Sequence, residues 1–348
     1  MKFLQFITAI LTSVIILTGC IGEENYENSH QGNFEALWKI VDERYCFFEQ
    51  AQNEYGLDWN SVYDKYKPLA GSCKDDRELF TLLGNMLKEL HDGHVNLISM
   101  YGTSFYWNWH TDYPRNFSDS IQSNYLGTDF KLTNGIRYTT LTDSIGYIYY
   151  ESFSGSLNIN NLSLMLLDLQ DTKGLILDIR DNGGGLITTA ETLASAFTDK
   201  KIHCGYIQHK TGPGHNDFSE PEKIFLEPSK GVIWLRPVIV LTNRSVYSAA
   251  NHFVMLMKEL PNTLILGDRT GGGSGLPMSS TLPNGWSVRL SACPTLDAQG
   301  NHTEFGIEPD IRVDITKKDW SNGRDTMIEA AKTIILDYYK KKEEQEER

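Results

Sequence analysis

The chain has 348 residues, 40% hydrophobic and 22% charged, with 29 glycines and 11 prolines. This composition excludes a disordered tail, a collagen-like fibre and a polytopic membrane protein, and the length allows one large domain or two of unequal size. The formal charge of −13 leaves no electrostatic footprint for wrapping nucleic acid, and beyond the N-terminus no apolar run reaches the roughly 18 residues of a membrane span.

Residues 1–20 read MKFLQFITAILTSVIILTGC. Lys2 is a short basic start, and Phe3 to Leu17 is apolar apart from Gln5, Thr8, Thr12 and Ser13. This is the pattern of a secretory signal, too short and wrongly flanked for an ordinary transmembrane anchor. Leu17-Thr18-Gly19-Cys20 resembles a bacterial lipobox. The resemblance implies cleavage before Cys20, a diacylated Cys20 as mature N-terminus, and a lipid-anchored protein of the bacterial cell envelope, at the outer membrane and facing the periplasm or the surface. Loss of residues 1–19 removes one lysine and takes the charge to −14. Residues 20–32 read as a polar, acidic tether. The other cysteines, Cys46, Cys73, Cys204 and Cys293, show no CxxC spacing, which argues against zinc or thioredoxin-like chemistry. In an oxidising envelope they form a Cys46–Cys73 bridge or remain four free thiols.

Residues 33–97 read as a helical domain. Phe34, Leu37, Trp38, Val41 and Tyr45 recur at helical spacing. Residues 58–66 predict a short second helix that stops before Pro68. DDRELFTLLGNMLKELHDGH predicts a third, capped by Asp75 or Asp76, with a broad apolar face and a stop at Gly93. Residues 100–140 are aromatic and irregular and predict a loop or a pair of short strands. Residues 98–341 otherwise read as an α/β core. Ile145–Tyr150 predicts a strand and 160–169 a helix; GLILDIR (174–180) is a buried strand, Gly183 to Gly185 follow, and 190–197 is a helix. PVIVLTN (237–243) and TLILGD (263–268) are further strands around a helix at 249–260, Val288–Ala292 adds a strand, and 324–341 is a closing helix. This alternation predicts a mainly parallel sheet. Residues 342–348 are a charged tail.

Three segments at strand or helix ends carry candidate chemistry, since reacting groups in open α/β sheets sit beyond the carboxyl ends of the strands. Asp181-Asn182-Gly183-Gly184-Gly185 can aim backbone N–H groups at a developing anion, or serve only as a flexible turn. It lacks the residues of a nucleotide-phosphate loop. In Asn243–His252, Ser248 stands at a helix N-terminus, either as a nucleophile favoured by the helix dipole or as a plain N-cap. In Leu90-His91-Asp92-Gly93-His94, either histidine can be a general base or a structural residue. An HxxH metal pair lacks a supporting ligand cluster, so no metal is expected.

Together these segments resemble peptidase family S41, the tail-specific or C-terminal processing proteases. GLILDIRDNGGG resembles the family's strand-plus-glycine motif, NRSVYSAANHF its nucleophile segment, TLILGDRTGGGSG the segment after it, and GIEPDI (306–311) its Gly-Val-x-Pro-Asp-Ile ending. The matches run in the family's order over about 75–348. WKIVDERY and the DW…Y features of the helical start resemble the N-terminal bundle of the tricorn-core and retinoid-binding-protein-like branch. The resemblance implies a helical bundle plus a ClpP/crotonase-like α/β core.

It also implies a serine peptidase acting on peptides or unfolded proteins. Lysine-dependent members carry their lysine where this chain has Gly273, and no lysine occurs between Lys258 and Lys317. The residues matching the tricorn-like Ser-His-Glu set are Ser248, His94 and Glu304, with His91 and Glu308 as alternatives. Gly93 stands where tricorn has a serine, and Asn251 replaces the usual glutamate after the nucleophile, so the Glu304–His94 relay is direct, altered or water-mediated. Gly184 and Ala249 N–H are the implied oxyanion donors, with Gly183 and Gly185 as neighbours. No metal or organic cofactor is implied. Fewer than fifty residues separate Leu97 from Ile145, too few for an inserted PDZ domain. Tyr101–Tyr113 lines a substrate groove or packs structurally. The competing expectation is a non-catalytic ligand- or peptide-binding lipoprotein on the same fold.

Overall fold

The computed structural model describes residues 26–346, so the signal and Cys20 lie outside the described residues. Four helices come first: α1 (His30–Arg44), α2 (Phe48–Tyr55), α3 (Trp59–Ala70) and α4 (Asp76–Lys88). Three have side-chain caps. Ser29 Oγ accepts from Gly32 N–H, Asp58 Oδ1 from Asn60 and Ser61 N–H, and Asp75 Oδ1 from Glu78 N–H, at 2.9–3.2 Å. α3 runs through Pro68, where a stop was expected. Proline there removes only the bond to the carbonyl of exposed Asp64, in the last turn, and buried Ala70 holds the helix end down. α4 ends at Lys88 rather than Gly93, and His91 then turns left-handed at φ 50°.

Next come β1 (Asn96–Ser99), β2 (Gly102–Thr103), α5 (Asn108–Thr111), α6 (Asp119–Leu126), β3 (Lys131–Thr133) and β4 (Ile136–Leu141). The stretch expected to be irregular thus holds two helices and a hairpin. Asn134 (φ 44°) and Gly135 (φ 81°) form the two-residue turn between β3 and β4. The core continues with β5 (Ile145–Tyr150), α7 (Ile159–Asp168), β6 (Leu175–Asp178), α8 (Ile187–Ser195), β7 (Ile202–Ile207) and β8 (Glu222–Leu226). It closes with β9 (Val238–Thr242), α9 (Ala249–Lys258), β10 (Thr263–Gly267), β11 (Gly275–Thr281), β12 (Ser287–Asp297), β13 (Ile311–Arg312), α10 (Lys317–Ser321) and α11 (Thr326–Glu346).

The expected α/β class holds. A seven-stranded sheet runs β13-β10-β9-β6-β5-β4-β3. β13 through β5 are parallel, β4 pairs antiparallel with β5, and β3 pairs antiparallel with β4 at the edge. Leu162, Leu193 and Phe253 of α7, α8 and α9 cover one face; Leu126 of α6 and Met327 and Ile335 of α11 cover the other. Burial on both faces is why β5, β6 and β9 read as unbroken apolar runs. A second, antiparallel sheet, unforeseen in the sequence, runs β2-β1-β12-β7-β8, with β11 on β12. The first helices pack on it, so that Phe34, Leu37 and Leu83 share one core with Trp286, Val288 and Leu290. Cys46 and Cys204 are buried, Cys73 and Cys293 partly so, and all four are free thiols.

Candidate active site

β6, β9 and β10 are parallel neighbours, so their carboxyl ends open on one edge of the sheet. The three loops that follow are hydrogen-bonded to one another. Tyr247 N–H donates to the Asn182 carbonyl at 3.1 Å, Ser248 N–H to that of Gly272 at 2.8 Å, and Gly271 N–H to that of Val246 at 2.8 Å. The Asn243 side chain brackets Asp181, donating to its Oδ1 at 2.7 Å and accepting from its N–H at 3.1 Å. Beneath, fully buried Arg180 joins Asp178 to Asp325 at 2.6 and 2.8 Å and so ties α11 to the root of the glycine loop.

Ser248 sits at this junction with φ 58° and ψ −123°. A side chain held there costs about 1–3 kcal/mol of backbone strain, which the interlocked loops sustain. Although Ser248 stands at the N-cap of α9, its hydroxyl caps nothing. It lies 3.0 Å from His94 Nε2 instead. Ala249 N–H, the first of α9, has no acceptor among the described residues. Gly184 is pressed against this turn, where a Cβ would come within 2.9 Å of Ala249 N. Its N–H, however, donates to Asn182 Oδ1 at 2.9 Å. Of the two expected oxyanion donors, only Ala249 N–H is open in this conformation.

His94 is carried by the turn after α4. Asp92, only 2% exposed, organises it. Asp92 Oδ1 accepts from His94 N–H at 2.7 Å and from Tyr247 hydroxyl at 3.3 Å, and Oδ2 accepts from Ser291 hydroxyl at 2.7 Å. One carboxylate therefore joins the histidine turn, the nucleophile segment and β12. Burial pushes the His94 pKa below the ordinary histidine value; Asp92 opposes this and Arg289 adds to it. His94 is accordingly neutral at pH 7 and able to accept a proton. Its Nδ1 is buried without a hydrogen-bond partner, although the Gly275 backbone faces the ring and favours its charged form.

Glu304 is buried close by, and Oε2 accepts from Ser274 N–H at 2.7 Å and Gly275 N–H at 3.3 Å. Burial and the charge of Asp92 raise its pKa well above the usual carboxylate range, against the pull of those two N–H groups. No hydrogen bond joins it to His94. Asn251, where a glutamate was expected, is a structural clip. It donates to the Thr303 carbonyl at 3.2 Å and accepts from Thr270 hydroxyl at 2.6 Å, fixing the segment that bears Glu304. The alternatives lie elsewhere. His91 is sandwiched between Tyr55 and Tyr106, with ring centroids 4.2 and 4.7 Å away. Glu308 is exposed and pairs with Arg269 and Arg312.

Both departures at Gly93 and Gly273 trace to two rings. Tyr247 stacks on Trp109 with centroids 4.0 Å apart. A Cβ on Gly93 would lie 2.7 Å from Trp109 Nε1 and 3.0 Å from Tyr247 Oη, and one on Gly273 would strike the Tyr247 ring. The aromatic stretch 101–113 is therefore in part a wall of the site, held by Arg244 donating to the Trp109 carbonyl at 2.9 Å. Sequence reasoning missed Asp92 and Tyr247. The short Asp-x-His spacing, which lets the aspartate cap the histidine's own N–H, was the available signal for Asp92.

Residues 144–313 match the model of peptidase family S41, and residues 26–88 that of the Tricorn protease C1 domain. A crystal structure of a candidate peptidase from Parabacteroides merdae is 54% identical, with a TM-score of 0.84 over 89% of this chain and 98% of that one. Mature CPAF complexed with lactacystin has a TM-score of 0.69 at 12% identity, over 88% of this chain and 98% of that one, a likeness of fold alone. The carboxy-terminal processing protease CtpA of Bacillus subtilis is 28% identical over 51% of this chain and 37% of its own length. The Tricorn protease of Thermoplasma acidophilum is 24% identical over 56% of this chain and 17% of its own. The chain spans well under half the length of these curated relatives. With these two segments matched and a relative 54% identical over 89% of this chain, the chain belongs to peptidase family S41.

Proposed function

We propose that the chain is a serine peptidase that cleaves peptide bonds through an acyl-enzyme on Ser248. The observation that carries this reading is the 3.0 Å contact between His94 Nε2 and a Ser248 hydroxyl held at positive φ and free of any capping bond. A strained turn that lifts a serine hydroxyl off a strand-to-helix junction is also how enzymes of the unrelated α/β-hydrolase fold present a nucleophile.

In this mechanism His94 takes the Ser248 proton as the oxygen attacks the peptide carbonyl, then returns it to the leaving amine. Ala249 N–H, at the positive end of α9, stabilises the oxyanion, and the second donor is Gly184 N–H once it leaves Asn182. One such donor is typically worth about 2.7–4 kcal/mol in the transition state. The unpartnered Nδ1 of His94 needs an acceptor, and we assign that role to Glu304 across a bridging water. Asp92 orients His94 and favours its protonated form. Water then hydrolyses the acyl-enzyme. The lipobox supports attachment of this peptidase to the bacterial envelope through Cys20, and Cys20→Ser should move it from the membrane to the soluble fraction.

The deciding experiment is Ser248→Ala in the full chain. Peptide hydrolysis and labelling by a fluorophosphonate should both disappear while the circular dichroism spectrum is retained. Undiminished hydrolysis by a folded Ser248→Ala protein would overturn the assignment.

A further inference from the structure

A pocket of about 180 Å³ opens beside Ser248 and His94. Its walls are apolar: Ile187 on α8, Ile207 on β7, Ile224 on β8, Met255 on α9 and Leu276 on β11. Asn251, Ser274, Thr295 and Thr303 also line it, and besides His94 two titratable side chains, Glu191 and His252, interrupt the apolar surface. Glu191 follows Ile187 by one turn of α8 and shares its face. His252 follows Ser248 by one turn of α9, its N–H bonded to the Ser248 carbonyl at 2.9 Å. Glu191 Oε1 lies 3.6 Å from His252 Nε2, too far for a hydrogen bond, and Nε2 is buried without a partner. Among the lining residues, all of them described, Glu191 is the only Asp, Glu, Lys or Arg.

We propose that this pocket selects a lysine or arginine side chain next to the scissile bond, with Glu191 as the specificity-determining residue. The inference rests on the peptidase reading. An aliphatic stem lies on the five apolar side chains while its charged head reaches the carboxylate, the division by which long basic side chains bury themselves. One turn of α9 places His252 about 6 Å along the helix from Ser248, the scale of the four-carbon stem of lysine, and Glu191 Oε1 stands 3.6 Å from the His252 ring. An acidic side chain would meet Glu191 with no compensating cation in the pocket. The net charge of −13 draws basic peptides toward the protein in the same sense.

The test uses matched peptides differing only in lysine, leucine or glutamate before the cleaved bond. The lysine peptide should exceed the leucine peptide in kcat/KM by about tenfold, as expected for a charge-assisted hydrogen bond at a half-exposed carboxylate, and the glutamate peptide should be poorest. In Glu191→Gln the lysine-to-leucine ratio should fall toward one, and in Glu191→Lys the glutamate peptide should overtake the lysine peptide. Binding of the same peptides to Ser248→Ala separates the two claims. If the wild type cleaves none of them but Ser248→Ala still prefers lysine in a Glu191-dependent way, the peptidase reading fails and the pocket assignment stands. If cleavage occurs with leucine equal or preferred, and Glu191→Gln leaves the ratio unmoved, the pocket assignment is overturned and the peptidase reading survives.

Discussion

Gly273 and Tyr247 share one volume: a Cβ built on Gly273 would lie 2.4 Å from Tyr247 Cζ. Gly273 also has φ 76°. The position at which lysine-dependent relatives carry their lysine is thus closed here by a ring that itself donates to Asp92. The loss of the lysine and the presence of the tyrosine are one structural choice. In the proposed mechanism it leaves proton transfer to a histidine.

Gly273→Lys should therefore not create a Ser–Lys enzyme. Left-handed backbone at a non-glycine residue costs about 1–2 kcal/mol, and forcing a side chain into a packed site costs about 1–3 kcal/mol more. Denaturant unfolding should show a loss in that combined range, and peptide hydrolysis should fall to background. Gly273→Ala should reproduce most of the stability loss, since the Cβ alone makes the clash.

In the proposed mechanism His94 links pH to activity with a definite sign. As a base it must be neutral, so activity rises with pH through its pKa. Burial holds that pKa below 6.5, so the acid limb of kcat/KM should have its midpoint below 6.5. Asp92 raises the pKa and Arg289 lowers it. Asp92→Asn should therefore move the limb to lower pH and Arg289→Gln to higher pH. Asp92→Asn should also cut kcat/KM at neutral pH on the order of tenfold to a hundredfold, because the histidine turn and the nucleophile segment lose their common anchor. A shift in the same direction for both variants would show that the two charges do not act on His94 electrostatically.

Ser248 stores backbone strain that the proposed nucleophile role would use. Ser248→Gly relieves the positive φ and Ser248→Ala does not. Both should be inactive, and the glycine variant should be more stable than the alanine variant by about 1 kcal/mol in equilibrium unfolding. Equal stabilities would mean that the turn relaxes once the hydroxyl is gone.

Much of this was legible in the sequence because it depends on local chemistry. Continuous apolar runs identified β5, β6 and β9, and the glycine triplet, Ser248, His94 and Glu304 were recognisable from ordered motifs. The second sheet was not. Glu222–Leu226 and Gly275–Thr281 are largely exposed or half-exposed and mix polar with apolar residues in no regular order, so neither alternation nor an apolar run marks them. The Asn134-Gly135 hairpin was legible but went unread amid aromatic residues. Asp92 and Tyr247 were hidden for a different reason. Their importance lies in a contact across 155 positions, and nothing local distinguishes a buried aspartate that bridges two loops from one that caps a turn. The occupation of Gly184 N–H by Asn182 is likewise a loop-geometry fact that residue types do not encode.

Glu304 and pH are coupled through stability as well as chemistry. Its folded-state pKa is raised by burial and by Asp92. The folded protein therefore binds this proton more tightly than the unfolded chain. That contribution is fully present below the ordinary carboxyl range and is lost as pH rises through the raised value. Glu304→Gln keeps an acceptor for Ser274 N–H and removes the ionisation. The variant should match the wild type in thermal stability near pH 4 and exceed it near pH 8, by about 1.5 °C for each kcal/mol of relief. Its hydrolytic activity should fall toward pH 8, where the wild type loses the Glu304 proton, because a neutral amide stabilises the His94 imidazolium less than a carboxylate does. A Gln variant less stable than the wild type at pH 8 would mean that the bonds from Ser274 and Gly275 to the carboxylate outweigh the cost of burying its charge.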